Sequence, residues 1–257
     1  MTAWQLCAFL FCVAVATCAQ SITGFAMALI LLGLCGLLDV APLAEVANVA
    51  TVLSLVSAAV ALRSSHRAID WPMLRTTGAG SVVGVALGVF LLAWLQSNVV
   101  VVLRLLLGLT VVACALVVLF RAEPLARRSA GWTFSLFGAL SGVLGGLFSA
   151  SGPPLVYQFY RQPLALEPLR DTLVSALAVS SALRLTLVIA SGQFSARALG
   201  LCAIATPLAA GITWWMRRHP PPWPRRTVLV LVCALLLATG AGLIVPSVRA
   251  LATTIGR

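Results

Sequence analysis

A short run of small and cyclic residues interrupts an otherwise apolar stretch in the second half of the chain. It reads Ser-Ala-Ser-Gly-Pro-Pro and occupies residues 149–154. Gly152, Pro153 and the proline after them disfavour a continuous helix, so the helix is predicted to break and restart there. The first N–H groups of a restarted helix lack helical acceptors and carry partial positive charge, which suits an anion. With the hydroxyl groups of Ser149 and Ser151, they would form a ring of neutral donors.

A weaker copy of this motif lies in the first half of the chain. The stretches QSITGFAM (20–27) and FSASGPPL (148–155) share the pattern Ser-x-[Ser/Thr]-Gly, with apolar arms on both sides. A break inside a membrane needs polar partners, which favours binding over simple close packing of small residues. The first motif therefore adds four candidate binding residues: Gln20, Ser21, Thr23 and Gly24. For four isolated glycines before the second motif, close helix packing is favoured: Gly138, Gly142, Gly145 and Gly146.

Other polar residues inside the apolar blocks are further candidates. Asn48, Tyr157 and Arg184 join the predicted substrate-binding set, because intramembrane polar groups usually serve a function. For Arg184 two alternatives stay open, attraction of an anion or snorkelling to the outer surface. Tyr157 is either a wall of the site or an ordinary interhelical contact. Glu45 is favoured as a solvated residue at a helix start over a proton site, and Arg104 is predicted to snorkel.

Composition sets the class of protein. Of the 257 residues, 61% are hydrophobic and only 9% are charged, and the mean hydropathy is +1.07. Apolar blocks of about 20 residues, each long enough to span a bilayer as a helix, recur along the chain. The prediction is an all-α polytopic protein of the bacterial inner membrane. The net charge of +11 comes from arginines in short loops, which indicates topology signals and not nucleic-acid binding.

Motifs for chemistry on bound cofactors are missing from the sequence. No HExxH, nucleophile elbow, P-loop or paired-carboxylate pattern occurs, and the seven cysteines form no CxxC pair. The chain is therefore predicted not to be an enzyme, to bind no metal or cofactor, and to use no ATP. A membrane scaffold without transport activity is a competing class.

The distribution of arginines fixes the predicted topology. The apolar blocks are 4–38, 43–62, 76–95, 99–120, 132–160, 172–190, 198–216 and 227–248. If each crossed once, six arginines would face six, and the positive-inside rule would give no orientation. If 132–160 instead enters and returns as a re-entrant hairpin, twelve arginines share one side, which is then cytoplasmic. These twelve lie in four loops: 63–75, 121–128, 161–170 and 217–226.

The first apolar block is too long for one span and carries the first motif, so it is predicted to be a second hairpin. The chain then consists of two inverted repeats, 1–122 and 123–257, each with a hairpin followed by three transmembrane helices. Secondary transporters with this architecture bring broken helices together near the membrane midplane.

The second hairpin, GALSGVLGGLFSASGPPLVYQFY, its echo CAQSITGFAMALILLGL, and the Asn48-bearing second block resemble the sulfite exporter TauE/SafE family. The resemblance covers nearly the whole chain in block order, although family members typically have a more glycine-rich first tip. It implies movement of a small sulfur oxyanion or organosulfonate across the inner membrane, most simply sulfite export. The implied partners are this anion and the lipid bilayer.

The predicted function is thus secondary transport by alternating access around a midplane site at the two hairpin tips. A passive anion channel of the same fold and a sulfonate uptake carrier are the alternatives. The oligomeric state stays open, with a homodimer as one alternative.

Overall fold

The computed structural model describes residues 3–62, 69–98, 100–119, 125–219 and parts of 233–248. The described residues contain helices and no strands, and those between 233 and 248 are helical. The bounded helices are α1 (Ala3–Thr23), α2 (Met27–Leu37), α3 (Leu43–Leu62), α4 (Trp71–Asn98), α5 (Val100–Leu119), α6 (Gly131–Phe148), α7 (Gly152–Tyr160), α8 (Leu166–Ala190) and α9 (Ala196–Arg218). The predicted all-α class is confirmed.

Six of the described helices are long and apolar enough to span a membrane. They contain the apolar runs Trp4–Thr23, Leu43–Leu62, Trp71–Leu95, Gly131–Phe148, Pro168–Ala190 and Ala196–Met216. Helices suit this composition because they satisfy every backbone N–H and C=O internally where lipid offers no partner. Large apolar side chains on their outer faces are exposed, as expected for contact with lipid tails: Trp4, Phe11, Leu87, Phe90, Trp132 and Trp214.

Both predicted helix breaks are present. Residues 24–26 separate α1 from α2, and residues 149–151 separate α6 from α7. The second pair of helices returns to the end from which it started, as two hydrogen bonds there show. The Leu125 N–H donates to the Arg161 carbonyl at 2.7 Å, and the Ser129 N–H donates to Gln162 Oε1 at 3.0 Å. A hairpin over the 132–160 block is therefore confirmed.

Three of the four arginine-rich loops meet at that same end. Asp70, which precedes α4, forms an ion pair with Arg128 at 2.8 Å, and its N–H donates to Thr172 Oγ1 at 2.9 Å. Partial burial opposes ionisation of Asp70, but hydrogen bonds from Arg128 and the Met73 N–H outweigh it and hold its pKa below the usual range. The shared side predicted for the described parts of 63–75, 121–128 and 161–170 is confirmed.

Glycines let α4 and α6 pack with their backbones in contact. A methyl group on Gly138 would overlap Thr77 backbone atoms, and one on Gly142 or Gly146 would overlap the backbone around Ser81 or Val85. Close approach through small residues is the usual basis of helix association in membranes. The packing role predicted for these three glycines is confirmed, whereas Gly145 faces the second break instead.

Two further ion pairs lie at the other ends of the helices, away from the arginine-rich loops. Arg104 at the start of α5 binds Asp39 at 2.8 Å, with both side chains well exposed. Glu45 at the start of α3 pairs with Arg197 at 3.5 Å. The Arg104 side chain is 41% exposed and is held by the Asp39 carboxylate, while its snorkelling stays a prediction.

Some predictions concern residues outside the described ranges. They are the repeat boundary at 122–123, most of the 217–226 loop, and the beginning of the 227–248 block.

Candidate functional site

The first break is shaped by a glycine and a glutamine. Gly24 adopts φ +88°, a left-handed conformation that other residues rarely take, and its N–H still donates to the Gln20 carbonyl at 2.7 Å. The Gln20 side chain reaches past the bend, and its Oε1 accepts the Met27 N–H at 3.1 Å. This bond satisfies one of the open donors at the start of α2. It also leaves the Nε2 amide group of Gln20 available to another acceptor.

The second break has a different construction. Ser149 ends α6 at φ 57°, in the left-handed region although it has a side chain, and its N–H donates to the Gly145 carbonyl at 2.8 Å. Ser151 occupies the N-cap position of α7, but its side chain makes no capping hydrogen bond. Pro153 lies in the first turn of α7, where a missing N–H costs nothing. Ser141 Oγ donates to the Ser151 carbonyl and so fixes the bend against α6.

The two breaks touch each other. A methyl group on Gly152 would overlap the side chain of Phe25 from the first break, so the glycine permits this approach. Between the breaks lies a cavity of about 70 Å³, several times the roughly 10–15 Å³ that one water molecule needs. Six predicted site residues line it: Gln20, Ser21, Gly24, Ser149, Ser151 and Gly152.

Glycine at 145 makes room for one of these side chains. A methyl group at Gly145 would overlap the hydroxyl oxygen of Ser151. Ser151 is 5% exposed, and the space that its hydroxyl now occupies is the space left by the missing side chain of Gly145. The position of this hydroxyl beside the cavity therefore depends on the absence of a side chain at residue 145.

Three further helices contribute polar groups to the cavity wall. The residues are Ser54 and Ser57 of α3, Arg170 and Ser181 of α8, and Thr213 of α9. Sequence reasoning did not select them, since single serines and threonines in apolar helices resemble ordinary interhelical contacts. Only Arg170 stands out in the sequence, because its charge in the 161–170 loop contributes to the predicted topology. Among the described residues lining the cavity, Arg170 carries the only charge.

The other predicted site residues lie away from this cavity. Thr23 Oγ1 donates to the Ala19 carbonyl of its own helix at 2.8 Å. Asn48 is buried, and its Nδ2 donates to the Gln193 carbonyl at 3.1 Å. Pro153 and Tyr157 line a separate apolar groove of about 530 Å³ between α5, α6 and α7.

Tyr157 makes the interhelical contacts that were its alternative role. Its ring stacks on Phe137 with the centroids 5.9 Å apart, and its hydroxyl accepts a hydrogen bond from Arg161 at 2.9 Å. The Arg161 guanidinium also lies over the ring, 5.1 Å from its centroid. These contacts turn the side chain towards α6 and the helix end.

Arg184 does not snorkel. Its side chain is 1% exposed and makes hydrogen bonds to interior groups of α3 and α6. One of its acceptors, Thr51 Oγ1, lies 2.9 Å from Ser149 Oγ, and Ser149 lines the cavity. The guanidinium is thus one hydroxyl group behind the cavity wall, and the snorkelling alternative is wrong.

The described part of the chain shows no cluster of typical metal ligands. No three histidine, cysteine, aspartate or glutamate side chains there are grouped so that they could hold a metal ion. The cavity instead offers side-chain hydroxyl and amide groups from four helices, α1, α3, α8 and α9, and from the second break. Such groups donate hydrogen bonds and carry no negative charge, which suits a small anion.

Comparison with known proteins identifies the family to which this chain belongs. The family model described as Sulfite exporter TauE/SafE matches residues 9–239. The chain belongs to this family. Over 231 residues it is also 34% identical to a protein of Cupriavidus necator named "Probable sulfite/organosulfonate exporter TauE". The aligned region covers 90% of each of the two chains. No solved structure matches the chain.

Membership of the TauE/SafE family gives the broad class of activity. The chain is a transporter and not an enzyme, and it is a multi-pass protein of the bacterial inner membrane.

Proposed function

We propose that the chain exports sulfite or a related organosulfonate, and that the anion binds in the cavity between the two helix breaks. The observation that carries this proposal is that hydroxyl and amide groups of both breaks line one small cavity. The family description and the printed name of the Cupriavidus necator relative support the substrate class.

The donors around the cavity match a compact oxyanion. Ser149 and Ser151 each present a hydroxyl group, and Gln20 can direct its Nε2 hydrogens inwards because its Oε1 is engaged by Met27. The Ser21 hydroxyl also lines the cavity, but it donates to the Thr17 carbonyl at 2.8 Å and must turn from it to donate to an anion. The N-terminal turn of α7 adds partial positive charge. Neutral donors bind an anion without the tight hold of several full charges, so the anion can leave again.

The cavity extends towards the end that carries the arginine-rich loops. Its wall follows α3 from Ser54 to Ala61 and α8 from Ser181 to Arg170, and it includes Thr213 near the same end of α9. By the positive-inside rule this end faces the cytoplasm. We therefore assign the conformation as inward-facing, with Arg170 at the mouth where it attracts anions from the cytoplasm.

The outer half of α3 is tied to the connection between α8 and α9 and to the start of α9. Asn48 donates to the Gln193 carbonyl at 3.1 Å, and Glu45 pairs with Arg197 at 3.5 Å. Ser195 Oγ also donates to Glu45 Oε1 at 3.3 Å. These contacts would have to open before an anion could leave to the periplasm.

A cavity open to one side and tied at the other favours a carrier over a passive channel. In the proposed cycle the repeats 1–122 and 123–257 rock against each other, exposing the site alternately to each side. One chain supplies both breaks, so the cycle needs no second copy and is compatible with a homodimer.

The membrane potential can drive this export. Moving one negative charge outwards through an inside-negative potential is favourable by about 2.3 kcal/mol per 100 mV. An exported anion therefore requires no coupled ion. Uptake of the same anion would require a coupled ion or a steep gradient.

Counterflow in proteoliposomes tests the proposal. Vesicles containing the purified chain and unlabelled sulfite should accumulate radiolabelled sulfite, saturably and with inhibition by taurine, sulfoacetate, thiosulfate or sulfate according to fit. With the membrane potential clamped by K⁺ and valinomycin, a channel would equilibrate the label without counterflow. Absence of exchange with all five compounds would remove sulfur oxyanions and sulfonates as the substrate class.

A further inference from the structure

Arg184 is a buried cation whose described partners are all neutral. Nε donates to the Gly146 carbonyl at 3.0 Å, and Nη1 lies 2.6 Å from Thr51 Oγ1, 3.1 Å from Asn48 Oδ1 and 3.4 Å from the Ala47 carbonyl. Its second terminal nitrogen, Nη2, has no hydrogen-bond partner among the described residues. The positive charge is therefore held by dipoles, without a carboxylate among its bonded groups.

A buried charge of this kind is costly unless another charge compensates it. The route from the guanidinium to the cavity is short and polar, since Thr51 Oγ1 is 2.6 Å from Nη1 and 2.9 Å from Ser149 Oγ. An anion in the cavity would place its negative charge at the end of this route. In an interior of low dielectric the two charges would attract each other more strongly than in water.

The hydroxyl hydrogen of Thr51 has two acceptors within reach. It can donate to the Ala47 carbonyl at 2.8 Å or to Ser149 Oγ at 2.9 Å. In the first case Ser149 must donate to Thr51, and its hydrogen points away from the cavity. In the second case Thr51 donates to Ser149, and the hydrogen of Ser149 is free to point to an anion.

The contacts of Arg184 are compatible with the arrangement that serves an anion. Its Nη1 donates to the oxygen of Thr51, which makes the Thr51 hydroxyl a stronger donor. The Ala47 carbonyl keeps a side-chain donor when the Thr51 hydroxyl rotates towards Ser149, because Arg184 Nη1 lies 3.4 Å from it.

We propose that Thr51 is a positioning residue that links the charge of Arg184 to the anion by orienting the Ser149 hydroxyl into the cavity. This rests on the proposed function of the cavity, and it adds a residue behind the wall that sets affinity for negative charge. Arg184 and Thr51 act through Ser149 and do not touch the anion.

Valine at residue 51 tests the relay with little change in shape. Thr51→Val removes the hydroxyl, while Arg184 keeps its bonds to Gly146, Asn48 and Ala47. We expect the KM for sulfite counterflow to rise roughly tenfold, equivalent to about 1.4 kcal/mol, with maximal rate within about twofold of the original. Thr51→Ser keeps the hydroxyl and should restore the KM.

Thr17 offers a matched control. It is a buried threonine in α1 whose hydroxyl donates to the carbonyl four residues earlier, Val13, at 2.7 Å. Thr17→Val should leave the KM unchanged. A merely structural role for Thr51 would lower the unfolding temperature and the maximal rate of Thr51→Val without changing KM, and that result would overturn the relay.

A second measurement separates failure of the relay from failure of the proposed function. The unfolding temperature of the purified full chain is recorded with sulfite, sulfate, nitrate and phosphate in turn. If sulfite neither exchanges nor stabilises but another of these anions does, the substrate proposal fails. The relay still predicts stabilisation by that anion in the original chain and Thr51→Ser, but not in Thr51→Val. If none of the four stabilises the original chain, the relay is wrong.

Discussion

The first helix break bends at a glycine and the second bends at a serine. Gly24 takes φ +88° without steric cost, and the Gln20 side chain then caps the helix that follows. Ser149 takes φ 57°, a conformation that costs a residue with a side chain about 1 kcal/mol, and two prolines start the next helix. The same bend is thus made cheaply in one hairpin and at some cost in the other.

What surrounds each break accounts for the difference. Ser149 is joined through Thr51 to Arg184, and Arg184 also binds the Gly146 carbonyl in the last turn before the break. Glycine at residue 149 would remove the strain but also the hydroxyl that faces the cavity. We infer that the second break carries the link to positive charge, while the first closes the cavity and adds neutral donors.

The largest expected effect comes from removing one hydroxyl at each break. If both breaks hold one anion, Ser21→Ala and Ser151→Ala should each raise the KM for sulfite about tenfold by loss of a hydrogen bond to a charged ligand, and because the two share that ligand the double variant should depart from the roughly 100-fold product of the single effects. The measurement is sulfite counterflow. Ser175→Ala, at a buried serine outside the cavity lining, should change nothing. An effect confined to one break would mean that the anion contacts only that break.

A smaller effect is expected from crowding the second break without replacing any of its polar side chains. Gly145→Ala would push on the Ser151 hydroxyl and should raise the KM up to about tenfold, the value of one such hydrogen bond. Gly211→Ala in α9 meets no atom within 4 Å and is the control. If the two variants have the same KM for sulfite, the present position of the Ser151 hydroxyl does not matter for anion binding.

The smallest effect concerns the bend of the first break. Gly24→Ala has space for its methyl group, but φ +88° disfavours it, so the free energy of unfolding should fall by about 1 kcal/mol. Gly200→Ala, inside α9 with open space around it, should raise that free energy by up to about 1 kcal/mol. Unfolding midpoints in detergent would show the difference, and two changes of the same sign would be inconsistent with this account of the first break.

Much of the fold could be predicted because membranes restrict the solutions. Apolar length gave the helices, and arginine asymmetry together with Gly-Pro-Pro gave the 132–160 hairpin. Six of the residues chosen from the two motifs lie around one cavity, since a buried break must gather polar groups around it.

Side-chain direction within helices could not be read from the sequence. Tyr157 follows the second break by about one turn yet turns to Phe137, and Thr51 gave no signal because a threonine in an apolar helix commonly bonds its own backbone. Whether Arg184 was buried depended on how α3, α6 and α8 pack, which needs the tertiary structure.

Selenite offers the most direct test of a shared site, since it has the shape and charge of sulfite and selenium can be located by anomalous scattering. Crystals of the chain grown with selenite should show one selenium peak between the breaks, with its oxygens within hydrogen-bond distance of Ser21, Ser149 and Ser151. A peak that contacts residues of only one break, or a cavity without selenium while the anion is bound elsewhere, would contradict the central claim.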